Sequence, residues 1–122
     1  AVWPGPLTLV LLRGANVPGA VSQTASVAVR VPDHPLARAL IAAAGAPLAV
    51  TSANRSGEPA TTDPAEVLRS LGGRIAALLD GGPAPGGLPS TIVDCTSAPW
   101  RILRAGPLDE ATLRAALDRP ER

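Results

Sequence analysis

Pro47-Leu48-Ala49-Val50-Thr51-Ser52-Ala53-Asn54-Arg55-Ser56-Gly57 joins a short apolar run to a cluster of small polar residues. The run is bounded by turn residues and is β-compatible, so it reads as a buried strand that ends in Ser52-Ala53-Asn54. Open α/β sheets bind ligands beyond the carboxyl ends of their strands. Hydroxyls, an amide and exposed backbone N–H groups are what a phosphate or carboxylate requires of a protein. Taken alone, the same spacing also suits a plain loop, because serine-rich turns follow many strands.

A second element points the same way. Asp80-Gly81-Gly82-Pro83-Ala84-Pro85-Gly86-Gly87-Leu88-Pro89 runs directly into Ser90-Thr91-Ile92-Val93-Asp94. A glycine- and proline-rich loop thus delivers a Ser-Thr pair onto a strand.

Working outward, Leu7 to Leu12 predicts a strand after the Pro4-Gly5-Pro6 turn, and Val27 to Val31 a second one. Asp33 with Pro35 in the first turn predicts a capped helix that runs to about Ala44 and stops at Gly45. Leu48 to Val50 is the third expected strand. Asp63-Pro64 opens the next helix, Val67, Leu68 and Leu71 give it an apolar face, and Gly72-Gly73 end it. Ile75 to Leu79 reads as a short strand. Thr91 to Cys95 and Arg101 to Arg104 read as a strand pair joined through residues 96–99, and Asp109 to Leu117 as a closing helix. Strands alternate with helices while the late strands pair locally, which predicts an α/β domain with a mixed sheet.

Composition sets further bounds. One domain is the prior for 122 residues. The hydrophobic fraction of 46% includes 23 alanines and no Phe, Tyr or Met. Alanine buries little surface, so the core is expected to be thin and the isolated chain marginal. A net charge of +1 supplies no global drive toward nucleic acid. The single Cys95 permits no intrachain disulfide, which fits a reducing cytosol, and it reads as a small core hydrophobe. One His and one Cys, far apart, do not make a metal site. No stretch approaches the ~20 apolar residues that span a bilayer, so no membrane role is expected.

Five ordered blocks carry a resemblance. Trp3 to Leu11 contains a PGPxT segment. Ser26 to Pro35 contains VAVRxPxHP. Ser52-Ala53-Asn54 is an SxN motif in a SANxSG setting. Ser90 to Asp94 is close to STVVD, and Arg101 to Gly106 is RILRxG. Together they cover most of residues 3–107, and the chain resembles the YrdC-like family, the threonylcarbamoyl-AMP synthases. The resemblance implies a twisted mixed sheet flanked by helices. It implies a reaction that joins L-threonine, bicarbonate and ATP, accompanied by magnesium, into threonylcarbamoyl-AMP and pyrophosphate. The product feeds the partner proteins that place threonylcarbamoyl on tRNA.

The resemblance also implies a preceding segment with a Thr-x-Thr-x-Tyr-Gly-like strand and a Lys-x-Arg motif that pairs with SxN. This chain contains no lysine: all 11 basic residues are arginine. It has no Met and opens on Ala1-Val2-Trp3. Residues 1–122 are therefore expected to be the C-terminal two-thirds or so of such a domain, and inactive alone. Pro120-Glu121-Arg122 suits a natural terminus or a cut edge.

Arg30 sits among apolar residues, so its charge needs a partner. Its planar fork matches a carboxylate, and the resemblance assigns it to threonine, the alternative being a structural salt bridge. Ser52 and Asn54 are the expected catalytic pair at the phosphates, with Ser52 also on ATP. The resemblance adds the main chain of Val50 and the Ser90 side chain for threonine, and Ser26, the main chain of Ala60 and Arg104 for the nucleotide. Arg101 and Arg104 are three apart on a strand, which predicts opposite faces, so only one reaches a cleft and Arg104 is the choice. His34 reads as a capping or packing residue. Asp80 and Asp94 are candidates for magnesium, with turn capping as the alternative. Three rival readings remain: a double-stranded RNA-binding module, a carbamoyltransferase module of the hydrogenase-maturation type, and an inactive fragment.

Overall fold

Leu7-Thr8-Leu9-Val10-Leu11-Leu12 has no Gly or Pro and forms strand β1, Leu7–Leu12, on which the sheet is built. The computed structural model describes residues 2–85 and 87–118. Ala1, Gly86 of the glycine-rich loop and the terminal Pro120-Glu121-Arg122 lie outside the described residues. Along the chain follow β2 (Ser26–Val29), α1 (Pro35–Ala44), α2 (Pro64–Leu71), β3 (Thr91–Asp94), β4 (Arg101–Arg104) and α3 (Glu110–Leu117). The chain divides into two compact units, one of Ala1–Pro47 with Leu88–Arg122 and one of Leu48–Gly87.

The first unit holds a mixed four-stranded sheet in the order β2-β1-β3-β4. β1 pairs antiparallel with β2 and parallel with β3, and β3 pairs antiparallel with β4. The registers sort the side chains by face. Leu7 opposite Thr91 and Leu9 opposite Val93 share one face. Leu113 of α3 packs onto it, closing a core of Leu7, Val93 and Leu113 with Trp3, Cys95, Trp100 and Leu117 around it. Only these three hydrophobic residues are fully buried among the described residues, the thin core that the alanine content predicts. The opposite face carries Thr8, Ile92, Val10 and Asp94, and next to them Ala28 and Ser26.

Local chemistry explains most boundaries. The second strand stops at Val29 rather than Val31. Pro4 and Pro6 have no N–H to offer beyond β1, and only Gly5 N–H reaches Val31 O, at 2.9 Å. The cap of α1 is His34, not Asp33: His34 Nδ1 accepts from Ala37 N–H at 3.4 Å. The residue before a proline is driven to extended backbone, the conformation an N-cap needs. Gly45, at φ 67, closes that helix in the left-handed region. α3 is capped by Asp109, which accepts from Thr112 N–H at 2.8 Å.

The second unit holds α2, whose N-cap Asp63 accepts from Ala65 N–H at 2.8 Å. Neither Leu48–Val50 nor Ile75–Leu79 forms the expected strand. A strand needs a ladder partner, and among the described residues 48–87 there is none. Val50 is 82% exposed. No helix among the described residues is long and apolar enough to cross a membrane.

Candidate functional site

Four of the residues singled out lie in the sheet unit, and the registers gather them on the face away from α3. Ser26 opens β2 opposite Leu12. Its carbonyl accepts from Ser22 Oγ at 2.6 Å and Thr24 Oγ1 at 3.1 Å, so a local hydroxyl cluster fixes the start of the strand. Arg30 stands one residue past β2, and the strand's alternation sets it on the side of Ser26 and Ala28. Arg30 Nε donates to Gly5 O at 3.0 Å. Among the described residues no carboxylate pairs with it, so the salt-bridge alternative finds no partner. A guanidinium held through Nε presents its two terminal nitrogens together, a fork that suits a carboxylate.

Ser90 is 7% exposed and lies just before β3, on the same side as Ile92 and Asp94. Arg104 holds it from the neighbouring strand. Arg104 Nε and Nη2 both donate to Ser90 O, at 3.1 and 2.9 Å, and Nη2 reaches Ser90 Oγ at 3.3 Å. Thr8 Oγ1 lies 2.7 Å from Ser90 Oγ on the other side. Thr8 is the last residue of the PGPxT segment, to which the sequence reading assigns no role. The signal was there in the strand alternation, which separates Thr8 from the core residues Leu7 and Leu9.

The expectation that Arg101 and Arg104 lie on opposite faces is overturned. Asp94 pairs with Arg101 and Ile92 with Arg104, because Leu103 is an extra residue in a β-bulge. The bulge shifts the alternation by one, so both arginines share the face of Ile92 and Asp94. Arg101 is nevertheless occupied: its Nη2 bonds Asp94 Oδ2 at 2.9 Å.

Asp94 Oδ1 accepts from Thr96 N–H at 2.9 Å and Thr96 Oγ1 at 2.6 Å. The Thr96 hydrogen bonds first, and then Arg101, hold its carboxyl at about 2, well below the usual carboxylate range. Asp80 Oδ1 caps Gly82 N–H at 2.8 Å. Both candidate magnesium ligands are thus turn caps, and no cluster of three His, Cys, Asp or Glu suited to a metal occurs among the described residues. As turn caps, Asp80 and Asp94 do not offer the cluster of oxygen ligands that a magnesium ion takes. Burial, and then the Asp94 charge, push the Cys95 thiol up, which keeps it protonated.

The remaining four lie in the second unit. Thr51, Ser52 and Ala53 line a cleft of about 480 Å³ together with Val67, Leu71 and Ile75. Asn54 is half-buried, and its amide donates to Arg55 O and Glu58 O, both at 2.9 Å. Both amide hydrogens are therefore spent on bracing the turn that Gly57, at φ 84, completes. The atom left without a partner is Asn54 Oδ1, a shielded acceptor. An acceptor repels phosphate oxygens and suits an N–H donor instead. The Asn54 amide hydrogens are thus engaged within the turn itself. Val50 and Ala60 form no backbone hydrogen bonds among the described residues, so their main-chain groups are open.

Comparison with known proteins places the chain in a family. Threonylcarbamoyl-AMP synthase of Bacillus subtilis is 42% identical over 117 residues, covering 94% of this chain and 34% of that protein. The solved structure of Pyrococcus abyssi Sua5 complexed with L-threonine matches with a TM-score of 0.86 at 39% identity, over 94% of this chain and 34% of that one. The E. coli YciO structure matches with a TM-score of 0.69 at 29% identity, over 87% of this chain and 52% of that one. The chain spans about a third of the length of the Bacillus subtilis and Pyrococcus abyssi synthases. The family model for Sua5, YciO and YrdC, described as "Telomere recombination", matches residues 1–106. The chain belongs to the Sua5/YciO/YrdC family.

Proposed function

We propose that this chain carries threonine- and nucleotide-binding groups of a threonylcarbamoyl-AMP synthase, a nucleotidyltransferase of the cytosol. The observation that carries the reading is Arg30: anchored through Nε to Gly5 O at 3.0 Å and with no carboxylate partner among the described residues. Such an arginine is prepared for the carboxylate of a small amino acid. Ser90 Oγ and the Val50 main chain complete the threonine contacts. Ser26, Ser52, the Ala60 main chain and Arg104 serve the nucleotide. Asn54 shapes the turn that presents Ser52.

The reaction balances in two steps. The threonine amine takes up bicarbonate, losing water, and becomes an N-carboxylate. A carboxylate oxygen then attacks the α-phosphorus of ATP, and pyrophosphate leaves with the electron pair of the broken P–O bond. Cationic groups such as Arg104 offset the charge that builds at phosphorus. Exclusion of water protects the labile carboxylate. The product is passed to the proteins that modify tRNA.

Calorimetric titration of the chain with L-threonine and with magnesium-ATP tests this. Arg30→Ala should weaken threonine binding about 10- to 100-fold, the range for a charge-assisted hydrogen bond, and leave ATP binding intact. Unchanged threonine affinity with weakened ATP would defeat the assignment. Salt-dependent binding of duplex RNA without either small molecule would favour the RNA-binding rival instead.

A further inference from the structure

We infer that Thr8 is a positioning residue that sets the direction of the Ser90 hydroxyl proton, so that Ser90 donates to an anionic oxygen of the ligand. The inference rests on the reading of Ser90 as a threonine contact, and it concerns a residue which that reading leaves without a role.

The polarity follows from the donors available. A serine hydroxyl has one hydrogen and two lone pairs, while a guanidinium only donates. Arg104 Nη2, 3.3 Å away, therefore fills one lone pair of Ser90 Oγ. Thr8 Oγ1 stands 2.7 Å away, and that is the one hydrogen bond its hydroxyl makes among the described residues. Two arrangements are open. If Ser90 donates to Thr8, it presents a lone pair to the ligand, and a carboxylate is repelled. If Thr8 donates to Ser90, both lone pairs are filled and the Ser90 hydrogen must point outward. Binding of a carboxylate selects the second arrangement.

The geometry is well supported for this purpose. Thr8 lies in the middle of the sheet, paired with Ile92 of β3. Ser90 is 7% exposed, and its carbonyl is held twice by Arg104. Loss of the Thr8 hydroxyl would therefore leave the backbone of Ser90 in place and release only its hydroxyl rotor. Threonine affinity should suffer, and the nucleotide contact of Arg104 should not.

The test is a double-mutant cycle in this chain, read by calorimetry with L-threonine and separately with magnesium-ATP. Thr8→Val keeps the shape and the β-propensity. It should raise the threonine Kd about three- to tenfold, the loss of one neutral hydrogen bond, with ATP Kd changed less than twofold. Thr8→Ser should restore threonine binding. In a Ser90→Ala background, Thr8→Val should cost nothing further. An equal cost in both backgrounds, or equal losses for threonine and ATP, or failure of Thr8→Ser to restore binding, overturns the inference. If Thr8→Val does not fold, Thr8→Ala takes its place in the same cycle. If Ser90→Ala weakens threonine binding while Thr8→Val leaves it at the wild-type level, the role of Thr8 falls and the reading of Ser90 stands. If the unaltered chain binds no threonine, both fall.

Discussion

Gly106→Ala should unfold part of the candidate site from behind. A Cβ at Gly106 would lie 2.5 Å from Thr91 N, 2.8 Å from Pro89 O and 2.8 Å from Ser90 C. All three are backbone atoms, so no side chain can swing away. An ordinary contact needs about 3.5 Å, so the two segments would have to part by about 1 Å. Thr91 N–H, however, donates to Pro6 O at 2.9 Å and ties β3 to the chain just before β1. Overpacking of this kind costs about 1–3 kcal/mol, and a lost backbone hydrogen bond about 1 kcal/mol more. Replacing glycine recovers about 0.4–1 kcal/mol through the unfolded chain. The net loss is about 1–3.5 kcal/mol. For a chain of this size that lowers Tm by roughly 3–17 °C. Gly14→Ala is the control, because nothing lies within 4 Å of its Cβ position. It should leave Tm unchanged or slightly raised. Urea unfolding followed by circular dichroism, with thermal scans, measures both. A Gly106→Ala protein within about 2 °C of wild type would refute the close-packing argument. Weakened threonine binding in the folded fraction should accompany the loss, because Ser90 moves with Pro89 and Thr91.

Three further outcomes follow from the geometry. Leu113→Ala should cost about 2–5 kcal/mol, because Leu113 is one of only three fully buried hydrophobic residues among those described; a cost below 1 kcal/mol would show that α3 does not close the core. Asp94 has a folded pKa below its unfolded one, so its stabilisation is complete at neutral pH and fades from about pH 4 toward about pH 2. Asp94→Asn should therefore flatten the acid limb of the stability profile, and an unchanged limb would remove Asp94 from the account. Cys95 should react with a disulfide reagent at pH 7–8 more slowly than free cysteine, because its thiol is pushed up by burial and by Asp94; reaction at the free-cysteine rate contradicts this.

The two stretches read as strands in error share one cause. Leu48–Val50 and Ile75–Leu79 are apolar enough for a strand, but β structure is completed by a neighbour that local sequence does not name. The same limit hid the bulge. Arg101 and Arg104 are three apart by count, and only the pairing of Ile92 with Arg104 and Asp94 with Arg101 shows that Leu103 is out of step. Asn54 illustrates the limit at a single side chain. Its identity suggested a donor to phosphate, while its two hydrogens go to Arg55 and Glu58 carbonyls four residues or fewer away.

What the sequence determined by itself is what short-range chemistry controls. Asp63-Pro64, Asp109 and Gly45 delimit helices through their own side chains or backbone freedom, and they do so in the folded chain. β1 and β4 fall where runs without Gly or Pro predict them. Five motif blocks in order also mark the family. The tertiary structure alone decided which of those residues meet. Thr8 and Ser90 are 82 positions apart and 2.7 Å from one another. Arg30 turns out to be anchored and, among the described residues, without a carboxylate partner, and Asp94 turns out to be engaged by Arg101. The physical reason is that a hydrogen bond or ion pair between distant residues depends on strand order and register, which are set by burying one face of the whole sheet rather than by any local run.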